Sequence, residues 1–377
     1  MKQRAWAAGL VIVALANAMV LSLNVPRGDD ITYLAWAVER LDTAWSPTLR
    51  PPPFPGWRPV TAAWWWLGCG LTSVSGAAQQ AALAGLWIAA LGTWTWWSWR
   101  RGGATAGLTT ATLLLATDRF RDLVTWRSWL TSTSELAFGG ACLLALSGGR
   151  RGVAVVAAVL AVWSKEPAAL WLSAAAWVFH RDGRVAGAAL LAGIPGGLRF
   201  ASEFADTMHL DADLLARGWF YLRATVALGW PVVAVFVLLV RRRVGALGVV
   251  AAALALPVVY PVFNATYLVE ATCVLAVGVT EFAGTAARRA LLASALAGLA
   301  FGLPGSVSNA RYQAVHQRDM QAVWSRLAAA PPVAYTLSDG ANDDARWLAL
   351  RLRWELDAAP SAIPLSAGPV AGLLVDP

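Results

Sequence analysis

The sequence contains few charged residues, three cysteines and three histidines, and these low numbers exclude several classes of protein. Charged side chains make up 14% of the 377 residues, whereas soluble domains average about 25%. Cys69, Cys142 and Cys273 lie in apolar stretches without the spacing of a metal site, so neither a disulfide framework nor a zinc module is expected. Motifs for nucleotide phosphates, dinucleotides, zinc proteases and serine hydrolases are also missing. Soluble nucleotide cofactors are therefore not implied.

Hydrophobic residues, by contrast, make up 58% of the chain, which indicates a polytopic membrane protein. The first apolar run, residues 5–24, holds 20 uncharged residues. That is enough for a helix to cross a hydrocarbon core of about 30 Å. Lys2 and Arg4 precede the run, so the positive-inside tendency predicts a cytoplasmic N-terminus. The net charge of +8 does not indicate a nucleic-acid partner, because the basic residues collect in short turns between apolar runs.

These basic turns predict the topology of the chain. They are found at residues 100–101, 150–151, 181–184, 241–243 and 288–289. If all of them are cytoplasmic, an even number of crossings separates each turn from the next, and the total comes to about eleven transmembrane helices. We therefore expect an all-α polytopic protein of a bacterial inner (plasma) membrane, with a transmembrane domain over residues 1–307.

Two segments are predicted to lie outside the membrane. Residues 25–59 form the first external loop, in which residues 31–43 have the spacing of an amphipathic surface helix and residues 46–59 are too rich in proline for regular helix. Residues 308–377 lack a run long enough to span, which predicts a small soluble extracytoplasmic α/β module. Its expected elements are helices over residues 311–329 and 341–353 and strands over residues 333–337 and 370–375.

The interval between two of the basic turns predicts a recessed polar pocket. Residues 152–180 number only 29, yet both ends carry arginines, so two short helices must meet near residues 164–167. Helices of that length cannot reach the far surface, and Lys165 and Glu166 are expected below it. A charged group at such a depth costs about 2.5 to 3.5 kcal/mol unless it lines a wet cavity or has a partner.

Tryptophan is unusually frequent, with 22 residues. Clusters at residues 64–66 and 94–99 are typical of side chains that anchor helices at the two membrane–water boundaries. We therefore expect these indoles to lie at the interface.

Six charged residues are expected at the outer ends of helices: Asp29, Asp30, Arg58, Glu135, Lys165 and Glu166. A carboxylate there can deprotonate an acceptor hydroxyl while cations stabilise a departing phosphate, which are the two requirements of glycosyl transfer from a lipid phosphate. Singly, each residue has a structural alternative. Asp30 could cap a helix, Arg58 could contact a headgroup, Lys165 with Glu166 could form a self-satisfied polar turn, and Glu135 could simply lie at the water boundary where its helix starts. The combination favours chemistry more than any one member does.

Four short motifs, taken in order, resemble the GT-C superfamily of integral-membrane glycosyltransferases, especially its protein O-mannosyltransferase and aminoarabinose-transferase-like branch. They are Gly28-Asp29-Asp30 after the first helix, Trp57-Arg58-Pro59-Val60 before the second, Glu135 opening a later helix, and Ser164-Lys165-Glu166 within a helical hairpin. The resemblance implies a GT-C-like transmembrane fold. It also implies that Asp29 is the catalytic base or orients the acceptor, with Asp30 beside it and Glu135 as the second acidic group. Arg58 and Lys165 would contact the donor phosphate, with Glu166 in support.

The resulting hypothesis is a hexosyl- or pentosyltransferase that moves a sugar from a polyprenyl-phosphate-linked donor to an extracytoplasmic glycan, lipid or protein hydroxyl. Direct attack by the acceptor would invert the anomeric centre. A transporter or flippase of lipid-linked sugar would use the same recessed charges and stays an alternative, as does an inactive scaffold with the same fold. The lipid-linked sugar is the expected co-substrate, and no metal site is assigned.

Overall fold

The computed structural model describes residues 2–21, 25–26, 28–41, 58–125, 127–204, 213–227, 229–259, 268–338, 340–361, 367–370 and 373–375. Within these residues the chain is helical except for four short strands near its C-terminal end. The first helices are α1 (Lys2–Leu21), α2 (Asp29–Val38), α3 (Pro59–Thr72), α4 (Ala77–Ala116), α5 (Asp118–Asp122), α6 (Leu130–Ser147), α7 (Arg151–Ser164) and α8 (Ala168–His180). The next are α9 (Gly183–Phe204), α10 (Asp213–Ala227), α11 (Trp230–Val240), α12 (Val244–Val259), α13 (Val269–Phe282) and α14 (Thr285–Ala329). The C-terminal elements are β1 (Ala334–Leu337), α15 (Asp343–Glu355), β2 (Ala359–Pro360), β3 (Ala367–Val370) and β4 (Leu373–Val375).

The helix α6 packs between α4 and α7 at the centre of the bundle, and α13 packs along α4. Their contact surfaces combine large and small residues, with Trp94 and Leu143 fully buried and Gly140 directly beside Thr93 and Trp94. A β-carbon at residue 140 would collide with Thr93, so glycine permits the close approach of α4 and α6. The expected all-helical fold class is confirmed for the bundle.

The long helix α4 contains a sharp break at Gly103. Its φ of 74° and ψ of −177° are not helical, and positive φ of this kind is open to glycine but strained for other residues. The break falls directly after the basic pair at residues 100–101. The two arms on either side of Gly103 therefore form a hairpin whose turn carries the predicted basic residues.

The predicted hairpin between residues 152 and 180 is present as α7 and α8. The helices have 14 and 13 residues and meet at Lys165, whose extended backbone (φ −161°, ψ 123°) ends α7. Pro167 stands directly before α8, where the missing amide of proline costs no helical hydrogen bond. A 14-residue helix is about 21 Å long, shorter than a hydrocarbon core of about 30 Å. The Lys165 turn is thus recessed relative to longer helices.

The basic turns meet at the end of the bundle opposite the Lys165 turn. Arg101 donates to both carboxylate oxygens of Glu281, at 2.8 and 2.9 Å, and to the Phe179 carbonyl at 3.4 Å. Arg151, at the start of α7, donates to Asp182 at 2.8 Å. The bundle therefore has a basic end, formed by these turns, and an opposite end that carries Lys165.

The C-terminal strands form one sheet in the order β2-β1-β4-β3, in which β1 pairs parallel with β2 and antiparallel with β4. The helix α15 packs on β1 and β4 and also contacts α2. Its buried Trp347 donates to the Val74 carbonyl at 3.2 Å, which fastens this part of the chain to the turn after α3. The helix α14 runs continuously through the boundary predicted at residues 307/308. The part predicted to be transmembrane and the C-terminal part thus share one helix.

By length and composition, one described helix, Arg127–Ser147, could cross a membrane by itself. Shorter apolar helices are Arg151–Ser164, Ala168–His180, Trp230–Val240 and Val244–Ala255. The count of about eleven crossings therefore stays a prediction. Of the first external loop, the helix predicted over residues 31–43 is α2, whereas residues 42–57, with most of the proline-rich stretch, lie outside the described residues.

The expectation that the tryptophan clusters lie at the interface is wrong for about half of them. Trp65, Trp94 and Trp97 are fully buried, while Trp96 and Trp99 are exposed. The Trp94 indole donates to the Leu136 carbonyl at 3.0 Å, as buried indoles usually do. Several of these tryptophans thus fill the core rather than mark the membrane surface.

Candidate functional site

The start of α2 carries the first two predicted site residues in very different environments. Asp30 is buried, accepts a hydrogen bond of 2.6 Å from the Ser128 amide and lies 3.9 Å from the Arg127 guanidinium. Asp29 is exposed, and within the described part of the chain its carboxylate has no ion-pair or hydrogen-bond partner. Gly28, directly before it, has a φ of 53° and donates its amide to Asp343 at 2.9 Å. One aspartate is therefore tied into the protein, and the other is open to a substrate.

The start of α3 meets the turn between α7 and α8 through an ion pair. The Arg58 Nε atom donates to both carboxylate oxygens of Glu166, at 2.9 and 3.2 Å. Thr61, one turn further along, donates to the Ser164 carbonyl at 3.0 Å. Gly196 on α9 leaves room for Glu166, because a β-carbon there would collide with the Glu166 side chain. Arg58 and Glu166, predicted separately, thus form one pair.

Lys165 lies in the most buried part of the site, with 3% of its side chain exposed. Its ammonium is 2.5 Å from Glu270, 2.9 Å from the Ser132 hydroxyl and 3.6 Å from Glu135. Glu270 and Ser132 accept hydrogen bonds from this ammonium, and Glu135 lies within ion-pair range. The direct contact between Lys165 and a donor phosphate stays a prediction.

Glu135 is fully buried and is held from two sides. Its Oε1 atom accepts a hydrogen bond of 2.7 Å from the Trp171 indole of α8, while Oε2 faces Lys165. Ser132 and Glu135 are three residues apart on α6, which places both on one helix face. Gly139, four residues beyond Glu135, lies against the Trp171 ring with no space for a β-carbon. Glu135 is thus a fixed part of the Lys165 cluster.

Chain connectivity joins these groups into one region. Lys165 and Glu166 are consecutive, so the Arg58 pair and the Lys165 cluster are neighbours. Arg127 and Ser128, which hold Asp30, directly precede α6, whose first turns carry Ser132 and Glu135. The structure thus pairs four of the six predicted residues, Arg58 with Glu166 and Glu135 with Lys165, and Asp30 is connected to them through Arg127 and Ser128. Asp29 stands beside this network through the backbone of Asp30, without contacting Arg58 or Lys165 itself.

Sequence reasoning missed Glu270 on α13, the residue closest to Lys165. A signal was available, because Glu270 is the one acidic residue in the long apolar stretch from residue 262 to residue 280, and intramembrane carboxylates are by default functional candidates. Its position in the first turn of α13 also suits a negative charge at a helix N-terminus. Ser132 and Trp171, which complete the cluster, gave no such signal.

A groove of about 600 Å³ opens between α2 and the C-terminal elements, two residues beyond Asp29. Its lining is largely apolar and includes three arginines, Arg40, Arg346 and Arg353. The lining residues include Ile31, Ala35, Trp36, Arg40, Tyr335, Leu337, Arg346, Leu350 and Arg353. On α2 the lining begins at Ile31 and does not include Asp29. The described residues do not gather three or more side chains of the types that hold a metal ion.

No protein-family model and no curated protein sequence matches the chain. Among solved structures, the crystal structure of ArnT from Cupriavidus metallidurans in the apo state aligns over 93% of this chain and 70% of ArnT, with a TM-score of 0.50 and 16% identity. The chain has an ArnT-like fold. The crystal structure of the same ArnT bound to undecaprenyl phosphate aligns over 73% of this chain, with a TM-score of 0.49 and 16% identity. In that alignment the chain spans 59% of the length of ArnT.

The likeness is one of fold, and it agrees with the fold that the sequence resemblance implied. At 16% identity, ArnT does not supply the roles of individual residues. The roles at the site must be derived from the contacts in this chain.

Proposed function

We propose that the protein is a membrane glycosyltransferase that moves a sugar from a polyprenyl-phosphate-linked donor to the hydroxyl of an extracytoplasmic acceptor. The observation that carries this proposal is the linked set of charges at one end of the bundle. There, the Arg58–Glu166 pair and the Lys165 cluster share consecutive residues, and the exposed Asp29 is connected to them through Asp30, which accepts from the Ser128 amide shortly before α6. A general base next to cationic groups is the combination that glycosyl transfer from a phosphate requires.

A membrane location is supported by the surface of the helices as well as by the ArnT-like fold. Large apolar side chains such as Ile12, Leu71 and Phe236 are 66% to 79% exposed. Apolar exposure on this scale is costly in water and favourable in lipid. ArnT itself has been crystallised with undecaprenyl phosphate, a polyprenyl phosphate of the class that we propose as the carrier of the donor sugar.

In the proposed reaction, Asp29 accepts the proton of the acceptor hydroxyl. The oxygen attacks the anomeric carbon as the bond to the phosphate breaks, so one displacement inverts that centre. Asp29 suits this role because no described cation neutralises it, whereas Asp30 is tied to Ser128 and holds the start of α2 in place. The groove beside α2 offers space for the acceptor.

Arg58 is the cation that we assign to the donor phosphate. Its side chain is 15% exposed, compared with 3% for Lys165, and its guanidinium geometry suits phosphate oxygens. Lys165 adds positive charge from a more buried position, where Ser132, Glu135 and Glu270 hold its ammonium in place. Glu166 orients the Arg58 guanidinium.

The test is sugar transfer by the purified protein in lipid nanodiscs, given a panel of radiolabelled polyprenyl-phosphate pentoses and hexoses together with membrane extract as acceptor. Asp29→Asn should lower transfer by about 10² to 10⁴, the range for loss of a general base. Asp319→Asn, which changes an exposed aspartate on α14, is the matched control and should leave transfer unchanged. Full activity of a folded Asp29→Asn protein would reject the proposed role.

A flippase for lipid-linked sugar is a second candidate, and the buried Lys165 cluster is the observation that favours it. Ionisable groups inside a helix bundle are common along the substrate paths of transporters. The two functions give different products in the same nanodisc and vesicle preparations. Labelled lipid that crosses the bilayer without covalent product would support the flippase, and covalent product without crossing supports the transferase.

A further inference from the structure

The backbone on both sides of Asp29 is fixed, although its carboxylate is not. On the N-terminal side, the Gly28 amide donates to Asp343 Oδ2 at 2.9 Å. On the C-terminal side, buried Asp30 accepts from the Ser128 amide at 2.6 Å. The two ties come from opposite parts of the chain, because Asp343 lies 315 residues after Gly28 and Ser128 lies 98 residues after Asp30.

Asp343 does not serve as the cap of its own helix. Asn342 is the N-cap of α15, and its side chain accepts from the Ala345 amide at 2.9 Å. Asp344, the next residue, pairs with His316 at 3.0 Å. The carboxylate of Asp343 is directed instead to the backbone of another element, Gly28.

The helix that carries Asp343 is itself anchored to the bundle. Trp347, one turn further along α15, is buried and donates to the Val74 carbonyl at 3.2 Å. The contact to Gly28 is therefore made by a docked helix rather than by a free segment. A carboxylate that accepts a backbone N–H also makes a stronger hydrogen bond than a neutral acceptor does.

We propose that Asp343 is a positioning residue for the transfer reaction: its carboxylate fixes the Gly28 backbone and thereby sets the position of the Asp29 carboxylate relative to the Arg58–Glu166 pair. This inference rests on the proposed function of Asp29 as base. A tie through the backbone orients a base without placing a cation on it, which would weaken the base. The C-terminal part of the chain thus contributes to the site without touching the substrate.

Three variants test this role. Asp343→Ala removes the acceptor and should lower kcat by about 10- to 100-fold with the donor KM unchanged, because a base displaced by about 1 Å loses rate rather than donor binding. Asp343→Asn keeps an oxygen acceptor and should recover most of the activity. Asp344→Ala is the matched control, since it removes an equal charge from the same helical turn and breaks only the pair with His316.

A second measurement separates this inference from the proposed function. Hydrogen exchange of the peptide over residues 25–34 should be about 10-fold faster in Asp343→Ala than in the wild type and unchanged in Asp344→Ala. If Asp343→Ala keeps wild-type kcat while Asp29→Asn is inactive, the positioning role is rejected and the proposed function stands. Unchanged exchange in Asp343→Ala would show that Asp343 does not hold the Gly28 backbone in place. If Asp29→Asn is active, the proposed function fails, and the positioning role of Asp343 fails with it.

Discussion

At the residue scale, the Lys165 ammonium determines how much stability the protein loses when a residue of the buried cluster is substituted. Two carboxylates, Glu135 and Glu270, share this one cation, and all three side chains are at most 3% exposed. Removal of one partner from a buried ion pair leaves an uncompensated charge and is strongly destabilising. Loss of the cation, which leaves two carboxylates, should therefore be worse than loss of either acid.

The corresponding experiment compares Lys165→Met with Glu270→Gln. Lys165→Met should lower the free energy of unfolding by about 3 to 5 kcal/mol. Glu270→Gln should cost much less, because the amide oxygen still accepts from the ammonium and Glu135 still balances its charge. Thermal unfolding in detergent gives both values. Equal stability of the two variants would show that Lys165 does not bind both acids.

The sequence identified these residues unevenly, for a physical reason. Lys165 and Glu166 could be found because the spacing of arginines forces a short hairpin there, and Asp30 because it follows an apolar run. Glu270 was passed over because a single acid in a spanning segment has no nearby partner in the sequence. Its partner Lys165 is 105 residues away and becomes its neighbour only when the start of α13 meets the turn between α7 and α8.

At the element scale, the contact between α6 and α8 holds Glu135 in place. Gly139→Ala would push a methyl group into the Trp171 ring and should destabilise the protein by about 1 to 3 kcal/mol, the usual cost of overpacking. Gly85→Ala is the matched control, because a β-carbon on that exposed helical glycine meets nothing within 4 Å. The control should be as stable as the wild type or slightly more so. Equal unfolding temperatures for the two variants would contradict the proposed packing.

A second prediction at this scale concerns the start of α9, where Asp182 is the cap. Its carboxylate accepts from the Arg184 and Val185 amides at 3.1 Å, and the Val185 hydrogen bond, followed by that to Arg151, lowers the pKa of Asp182. Because the pKa is lower in the folded state, the charge stabilises the fold above the ordinary aspartate pKa of about 3.9. That stabilisation is lost as the pH falls through the lowered pKa that Asp182 has in the folded state.

Three proteins and two pH values test this cap. Asp182→Ala should lose about 1 kcal/mol at pH 7, whereas Asp182→Asn keeps the capping oxygen and should lose less. The difference between wild type and Asp182→Asn should shrink as the pH falls below about 4. Unfolding in detergent at pH 7 and pH 3.5 measures it, and a difference independent of pH would contradict the assignment.

Helices were easier to predict than the faces they bury. Charge spacing located the hairpin of α7 and α8 and the turn at Gly103, because both depend on local sequence. The tryptophans were harder, since Trp94 and Trp96 stand in the same cluster yet one is buried and the other exposed. Their environments depend on which side of α4 meets α6, and a helix that is apolar all round does not carry that information.

At the scale of the whole molecule, the bundle has two chemically different ends. One end collects the basic turns with Arg101 and Arg151, and the other carries Lys165, α2 and the docked C-terminal elements. The sequence predicted this separation from the positive-inside tendency. It could not predict that α15 reaches Gly28 and Val74, because such long-range docking leaves no periodic pattern.

Which end of the bundle faces the cytoplasm can be tested by adding one exposed cysteine at a time. The native Cys69, Cys142 and Cys273 are all buried and should give little background labelling. If the basic end is cytoplasmic, Asp319→Cys on α14 should react with a membrane-impermeant maleimide in intact spheroplasts, because this exposed position belongs to the outer end. Arg241→Cys, at the exposed basic end, should react only after the membrane is permeabilised. The opposite pattern would place Asp29 in the cytoplasm, where an acceptor outside the cell could not reach it.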